Sequence, residues 1–317
     1  MGLKGRVMDA FSAPHFGNEA SARIFLEGLR WPDGPVCPHC RGTSRRYETD
    51  RPGRYRCGNP ECRKDFTVTT GTVMERSHIA LHKWLQGFYL MASSKKGVSA
   101  HQLHRTLGIT YKAAWFMAHR IREAMRVGGL DYSPFGRGGK VVEADETYFG
   151  KVETQRPRRK SLPSPTKGGL VGPAGKRSIV SLVERDGDVR SFHVAVADKA
   201  TVNKIVVENL SRETCLYTDE SLLYGDVSGH VTEHATVKHS AKEYVRGEVH
   251  TNTVEGYFSI FKRGMKGVYQ HCKEKHLHRY LAEFDFRYNA RKITDGERAA
   301  LAVRGIEGKR LTYQQPH

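Results

Sequence analysis

Four cysteines constrain this chain more than any other feature. Cys37 and Cys40 form a CxxC pair, sixteen residues follow, and Cys57 and Cys62 close a CxxxxC pair. Each pair can present two thiolates from a tight turn, and two such turns suit one tetrahedral Zn2+. The intervening run "RRYETDRPGRYRC" has a turn at Pro52-Gly53 between two strand-like stretches. A zinc ribbon is therefore expected, with His39 as an alternative ligand. Its ion would be structural, since four protein ligands leave no open coordination position. Cys215 and Cys272 lie alone, and "MGLKGRVMDAFSAPHF" lacks the apolar block of a secretory leader. Metal binding, not disulfide pairing, is the expectation.

Lys and Arg number 52 against 34 Asp and Glu, a formal charge of +18 over 317 residues. An excess this large points to a polyanion, with nucleic acid ahead of anionic membrane. No apolar run approaches the roughly 20 residues that span a bilayer, and a cytoplasmic, nucleoid-associated protein is expected.

Residues 18–30 predict a helix capped by Asn18, with Ile24, Phe25 and Leu29 inward. Three helical patterns fill 76–127. The second and third, "VSAHQLHRTLG" and "ITYKAAWFMAHRIREAMR", have Ser99 and Thr110 as N-caps and Gly108 between them. Two helices across so short a turn match a helix-turn-helix, and Lys112, His119, Arg120, Arg122 and Arg126 give the last helix a basic side. The expected division is 1–70 for the first helix and zinc ribbon, 71–130 for a helix-turn-helix DNA-binding domain, 131–295 for a catalytic core and 296–317 for a tail.

Beyond residue 139 the pattern turns strand-like. "KVVEADETYFG" alternates, with Glu143, Asp145 and Thr147 on one side of the pleat. A Pro- and Arg-rich stretch, 151–176, reads as a flexible basic insertion. "RSIVSLVER", a "DGD" turn and "VRSFHVAVAD" form an antiparallel pair. "TVNKIVVENL" reads as a helix and "TCLYTDES" as a strand ending in an acid. Two helices follow, "HTNTVEGYFSIFKRGMKG" and "KEKHLHRYLAEFDFRYNARK". This order is that of a ribonuclease-H-like α/β domain with a mixed sheet and flanking helices.

Asp145 in mid-strand, Asp219 at a strand end and Glu255 on a helix can converge if that helix packs by its apolar stripe of Val254, Tyr257, Phe258, Phe261 and Met265. Carboxylates from separate elements suit Mg2+, which prefers oxygen ligands and keeps waters for substrate phosphates. Asn252 is then a neutral ligand or positioning group, and Lys262 a phosphate clamp on the same helix face.

The runs "VVEADETYFG", "LYTDE", "HSAKEYVRGEVHTNTVEGYFSIFKRGMKGVYQH" and "KHLHRYLAEFDFRYNAR" together resemble insertion-sequence transposases of the zinc-ribbon DDE type, specifically the IS1595 (ISXO2-like) family. "FLEGLRWPDGPVCPHC" and "LMASSKKGVSAHQLHRTLGITYKAAWFMAHRIREAM" resemble its ribbon and helix-turn-helix parts. The likeness covers roughly residues 18–292.

The resemblance implies a bacterial-type DNA transposase with two Mg2+ (or Mn2+) ions and a structural Zn2+. Such an enzyme cuts at the ends of its mobile element and joins the freed 3′ hydroxyl to target DNA. By position, Asp145 and Asp219 are the first two metal-binding acids. Asn252 and Glu255 both fit the third, and Glu255 is preferred because three carboxylates offset two dications better than two do. His250 is a nearby accessory. Lys112, Arg120, Arg122, Arg126 and Arg263 are the expected DNA contacts. The implied partners are double-stranded DNA, as terminal inverted repeats and target, and a second copy of the chain, since two ends must be brought together. A catalytically inert DNA-binding derivative and a structure-specific nuclease of the same fold are the competing readings.

Overall fold

A computed structural model describes residues 11–42, 46–126, 133–153 and 175–312. The chain divides into two units, Met1–Val127 together with Ala290–His317, and Gly128–Asn289.

In the first unit Asn18 starts α1 (Glu19–Arg30) by accepting the Ser21 backbone N–H at 2.9 Å. The helix buries Ala22 and Leu26, while Ile24 is 65% exposed instead of facing inward as expected. At 100° per residue, position 24 lies opposite the stripe that 22 and 26 share. Strands β1 (Arg46–Glu48), β2 (Arg54–Cys57) and β3 (Asp65–Thr67) form an antiparallel ribbon in that order. Its third strand goes beyond the two expected. Trp31 sets its indole edge-on to Tyr55 and Phe66, with centroids 6.0 and 5.8 Å away, and this small aromatic cluster is most of what the ribbon buries.

Helices α2 (Leu81–Ser93), α3 (Ala100–Leu107) and α4 (Tyr111–Met125) follow. Ser99 and Thr110 cap α3 and α4 as expected, accepting from Gln102 N–H and Ala113 N–H. Gly108 takes the left-handed conformation at φ 59° that ends α3, a state in which a side chain is strained. Gly87 on α2 permits close approach to α4, since a Cβ there would sit 2.9 Å from Met117 Sδ.

The expected basic side of α4 needs correction. Arg120 and Arg122 are 7% and 2% exposed. Arg120 donates to the Glu75 and Leu311 carbonyls and lies over the Phe116 ring. With α2 packed on α4, its second half is core on nearly every side, and the buried guanidinium finds backbone acceptors within the unit. Lys112 and Arg126, at the two ends, are exposed.

The second unit begins with β4 (Val141–Lys151), β5 (Lys176–Glu184) and β6 (Val189–Val194), an antiparallel meander. Lys151 and Lys176, expected in a loop, pair with each other across β4 and β5, and residues 154–174 lie outside the described residues. Helix α5 (Lys199–Asn209) leads to β7 (Cys215–Asp219) and β8 (Glu233–Val237), both parallel to β4. The five-stranded order is β6-β5-β4-β7-β8, a mixed sheet consistent with a ribonuclease-H-like core. The hairpin β9 (Val245–Arg246) and β10 (Val249–His250) precedes α6 (Asn252–Gly264), and α7 (Leu277–Asn289) closes the unit.

Alternation along β4 and β5 sends side chains to two cores. Val142, Ala144, Val180 and Leu182 pack under α5, and Ile179 and Val183 pack under α6 and α7. The apolar stripe of α6 goes inward as its period requires, with Val254, Tyr257, Phe258, Phe261 and Met265 all buried. Each such side chain contributes about 1.5–3 kcal/mol, enough to hold the opposite face of α6 in place.

The expected C-terminal tail is instead helix α8 (Asp295–Arg304), opened by a capping box between Thr294 and Glu297. It packs on α1, α2 and α4, burying Ala299, Ala302 and Val303. Among the described residues, no helix is long and apolar enough to cross a membrane.

Candidate active site and zinc cluster

The parallel pairing of β4 with β7 sets Val141 against Cys215 and Glu143 against Tyr217. Asp145 and Asp219 each follow the last of these pairs by two residues, and the Asp219 charge acts on the Asp145 carboxyl. Asp219 ends its strand and accepts the Ser221 N–H at 3.0 Å, so it also caps the turn after β7. Glu255 stands in the first turn of α6, where Thr251 Oγ1 donates to its Oε1 at 2.9 Å and His239 Nε2 lies 3.7 Å away.

Asp145 and Glu255 border one open cavity of about 720 Å3, together with Glu146, Thr147, Ser259, Lys262, Arg263 and Lys266. Asn252, exposed at the start of α6, and Asp219, at the end of β7, are not among the lining residues.

The electrostatics are those of a crowded acid cluster. Burial pushes the Asp145 carboxyl well above the usual carboxylate range, and Glu146, Asp219 and Glu255 push it further. Among the described residues Asp145 has no cationic partner within salt-bridge reach, and its one hydrogen bond comes from the Glu146 N–H at 2.7 Å. Burial and then Asp219 raise Glu146 likewise, and its two oxygens accept from Ser221 Oγ and Tyr224 OH. The donors here are all oxygen, the chemistry that Mg2+ or Mn2+ takes, but among the described residues only the four cysteines bring three or more ligand atoms within 4.8 Å of one another. Burial lowers the pKa of Lys262 against the opposing pull of Asp145, with Lys266 and Lys176 adding to the depression. Arg263 is exposed, with Nε on the Ser259 carbonyl.

Sequence reasoning gave Glu143 no role and missed Glu146 and His239. The alternation of β4 had placed Glu143 on the same face as Asp145, and a carboxylate among valines on a central strand was the available signal.

The four cysteines form the other cluster. Their sulfurs all lie within 4.8 Å of one another, with Cys37–Cys62 at 3.8 Å and Cys40–Cys57 at 3.6 Å. Tetrahedral Zn–S bonds of about 2.3 Å require sulfurs about 3.8 Å apart, so the cage already has the dimensions of a zinc site. The Gly42 N–H and the Cys57 thiol lower Cys40 to about 7, preparing a thiolate for a metal.

Residues 137–289 match the model of the ISXO2-like transposase domain, and residues 17–65 match that of the transposase zinc-ribbon domain. A protein of Halobacterium salinarum, described as an uncharacterized protein in transposable element ISH50, is 30% identical over 284 residues, which cover 86% of this chain and 91% of that one. The acid-lined cavity falls inside the first matched segment and the cysteine cage inside the second. With both parts in their expected places and a relative matched along nearly its whole length, the chain belongs to the IS1595 (ISXO2-like) family of insertion-sequence transposases.

Proposed function

We propose that this protein binds the ends of its mobile element, cuts there, and joins the freed 3′ hydroxyl to target DNA in a reaction dependent on Mg2+ or Mn2+. The observation that carries this reading is the convergence of Asp145 and Glu255, with the Asp219 charge beside them, on a cavity rimmed by Lys262, Arg263 and Lys266. Acids that oppose one another's ionisation favour a dication, and the cationic rim favours a phosphate backbone.

Asp145, Asp219 and Glu255 are the residues that would hold two divalent ions, which when bound activate an attacking hydroxyl and offset charge on the leaving oxygen. Glu255 is the third acid and not Asn252, because Glu255 faces the cavity. Lys262 is placed to donate to a non-bridging phosphate oxygen, and Arg263 and Lys266 to bind the backbone beside it. In the first unit, α3 and α4 act as a helix-turn-helix that reads the element end, with Lys112 and Arg126 on phosphates. The zinc ribbon supports that reading, and two chains bring two ends together.

The test uses duplexes carrying the sequences that flank the coding region. Wild type with Mg2+ should nick these duplexes and join them to a target plasmid, while Asp145→Asn and Asp219→Asn bind them within a few-fold and do neither. Near-normal joining by either variant overturns the assignment.

A further inference from the structure

We infer that Glu143 is the positioning residue that fixes where Glu255 stands relative to Asp145. This rests on the proposed metal-dependent site and assigns a residue that makes no contact with substrate. Glu143 lies two residues before Asp145 on the same face of β4, and it is fully buried. A carboxylate in such a place is costly unless each oxygen is engaged.

Both are engaged, mainly by the helix that carries Glu255. Glu143 Oε2 accepts the backbone N–H groups of Thr253 and Val254 at 2.8 and 3.1 Å, and Oε1 accepts Thr253 Oγ1 at 2.8 Å. Arg185 Nε donates to the same Oε1 at 2.8 Å, and its Nη2 reaches the His250 carbonyl at 3.3 Å.

Thr251, the local N-cap of α6, makes no side-chain cap. Its hydroxyl donates to Glu255 instead. The free N–H groups of the first turn are thus satisfied from another strand, by an anion suited to the positive end of the helix dipole. One residue of β4 therefore docks the α6 N-terminus two positions from Asp145, and the third acid follows within the first turn. Arg185 holds the carboxylate from the far side and ties it to the strand that delivers the chain into α6. The Val254–Met265 stripe holds α6 against the sheet, and the Glu143 bonds fix its first turn beside Asp145.

The test compares full-length wild type, Glu143→Gln and Thr253→Val. Glu143→Gln keeps the side-chain size but sets an amide N–H against helix N–H donors. Thr253→Val removes one hydroxyl and leaves the buried Arg185–Glu143 pair intact. The expected result is a fall in the single-turnover joining rate at saturating DNA, at least tenfold for Glu143→Gln and about two- to fivefold for Thr253→Val. DNA affinity stays within twofold. Calorimetric Mn2+ titration without DNA should show weakened binding in the same order, a readout that a purely structural role would not move in a variant that melts like wild type.

If Glu143→Gln does not fold, Thr253→Val decides: normal joining and normal Mn2+ affinity overturn the inference. If both variants fold and match wild type, it is overturned directly. A wild type that neither binds Mn2+ nor joins ends overturns the underlying metal-site reading and removes this role with it.

Discussion

Asp145 and Asp219 each lie two residues beyond the last paired position, Glu143 with Tyr217, on two adjacent parallel strands, and the Asp219 charge, added to burial and to Glu146, holds the Asp145 carboxyl well above its ordinary pKa. A carboxyl with a raised folded-state pKa contributes stability while protonated. That contribution is lost as pH climbs from the unfolded carboxylate range toward the raised value. Metal-free protein is therefore strained at this point near neutral pH. Asp145→Asn, which keeps the shape and drops the charge, should raise the metal-free melting temperature by about 2–4 °C while abolishing joining. Calorimetry with and without Mn2+ checks both halves: the ion should stabilise wild type and leave the variant unmoved. Equal metal-free melting of the two would contradict the crowding.

The ribbon should depend on its ion. Its buried aromatic cluster of Trp31, Tyr55 and Phe66 is too small to offset the entropy of ordering the segment. A chelator strong enough to take zinc from four thiolates should release one Zn2+ per chain and expose Trp31, shifting its fluorescence to the red. Element-end binding should weaken, while the unit holding Asp145 keeps its secondary structure. Unchanged end binding after complete zinc removal would rule out a role for the ribbon in recognition.

Asp285 on α7 gives a second pH signature, inside the core. Burial raises its carboxyl to about 6 from 3.8, against the opposing hydrogen bonds from Tyr257 OH and from Ser191 Oγ and N–H. By the same sign rule, stability falls as pH rises from about 4 to about 6 and is level above, by on the order of 3 kcal/mol. Asp285→Asn should remove this pH-dependent loss, so the difference between wild-type and variant unfolding free energies traces it. A difference that does not change across this window refutes the buried titration.

Charge on the surface and charge in the core should separate cleanly. Lys262→Ala and Arg263→Ala each remove one phosphate contact, which should lower the salt slope of DNA binding by about 1. Lys262→Ala should in addition slow joining about tenfold or more. Arg122→Ala should cost about 1–3 kcal/mol of stability and leave the salt slope unchanged. Binding titrations at several salt concentrations, paired with chemical denaturation, distinguish the two classes.

Local signals in the sequence were read well where one residue type carries one physical role. Asn18, Ser99 and Thr110 cap their helices, Gly108 ends one, and the 3.6-residue period of α6 buries the residues it marks. Asp145 and Asp219 stood out in the sequence because an acid within or ending an apolar strand costs free energy unless it is used. Strand β8 was not: "EHATV" alternates poorly, and its place beside β7 comes from tertiary pairing. Arg120 and Arg122 were misread because a basic helix side looks alike whether it meets water or buried carbonyls. The α8 helix had a usable signal in the Thr294-to-Glu297 capping box, which the brevity of the segment obscured. Glu143 was seen but left without a partner, since its donors come from a helix more than a hundred residues later.

Helix α8 has a consequence for synthesis. It leaves the ribosome after the whole segment that bears Asp145, Asp219 and Glu255, yet it packs on α2, near the other end of the chain. A nascent polypeptide can thus complete its catalytic fold while one face of its amino-terminal unit is still uncovered. A premature stop just before residue 295 should leave a molecule with its acid cluster formed and its amino-terminal unit unfinished, vulnerable to proteases at α2.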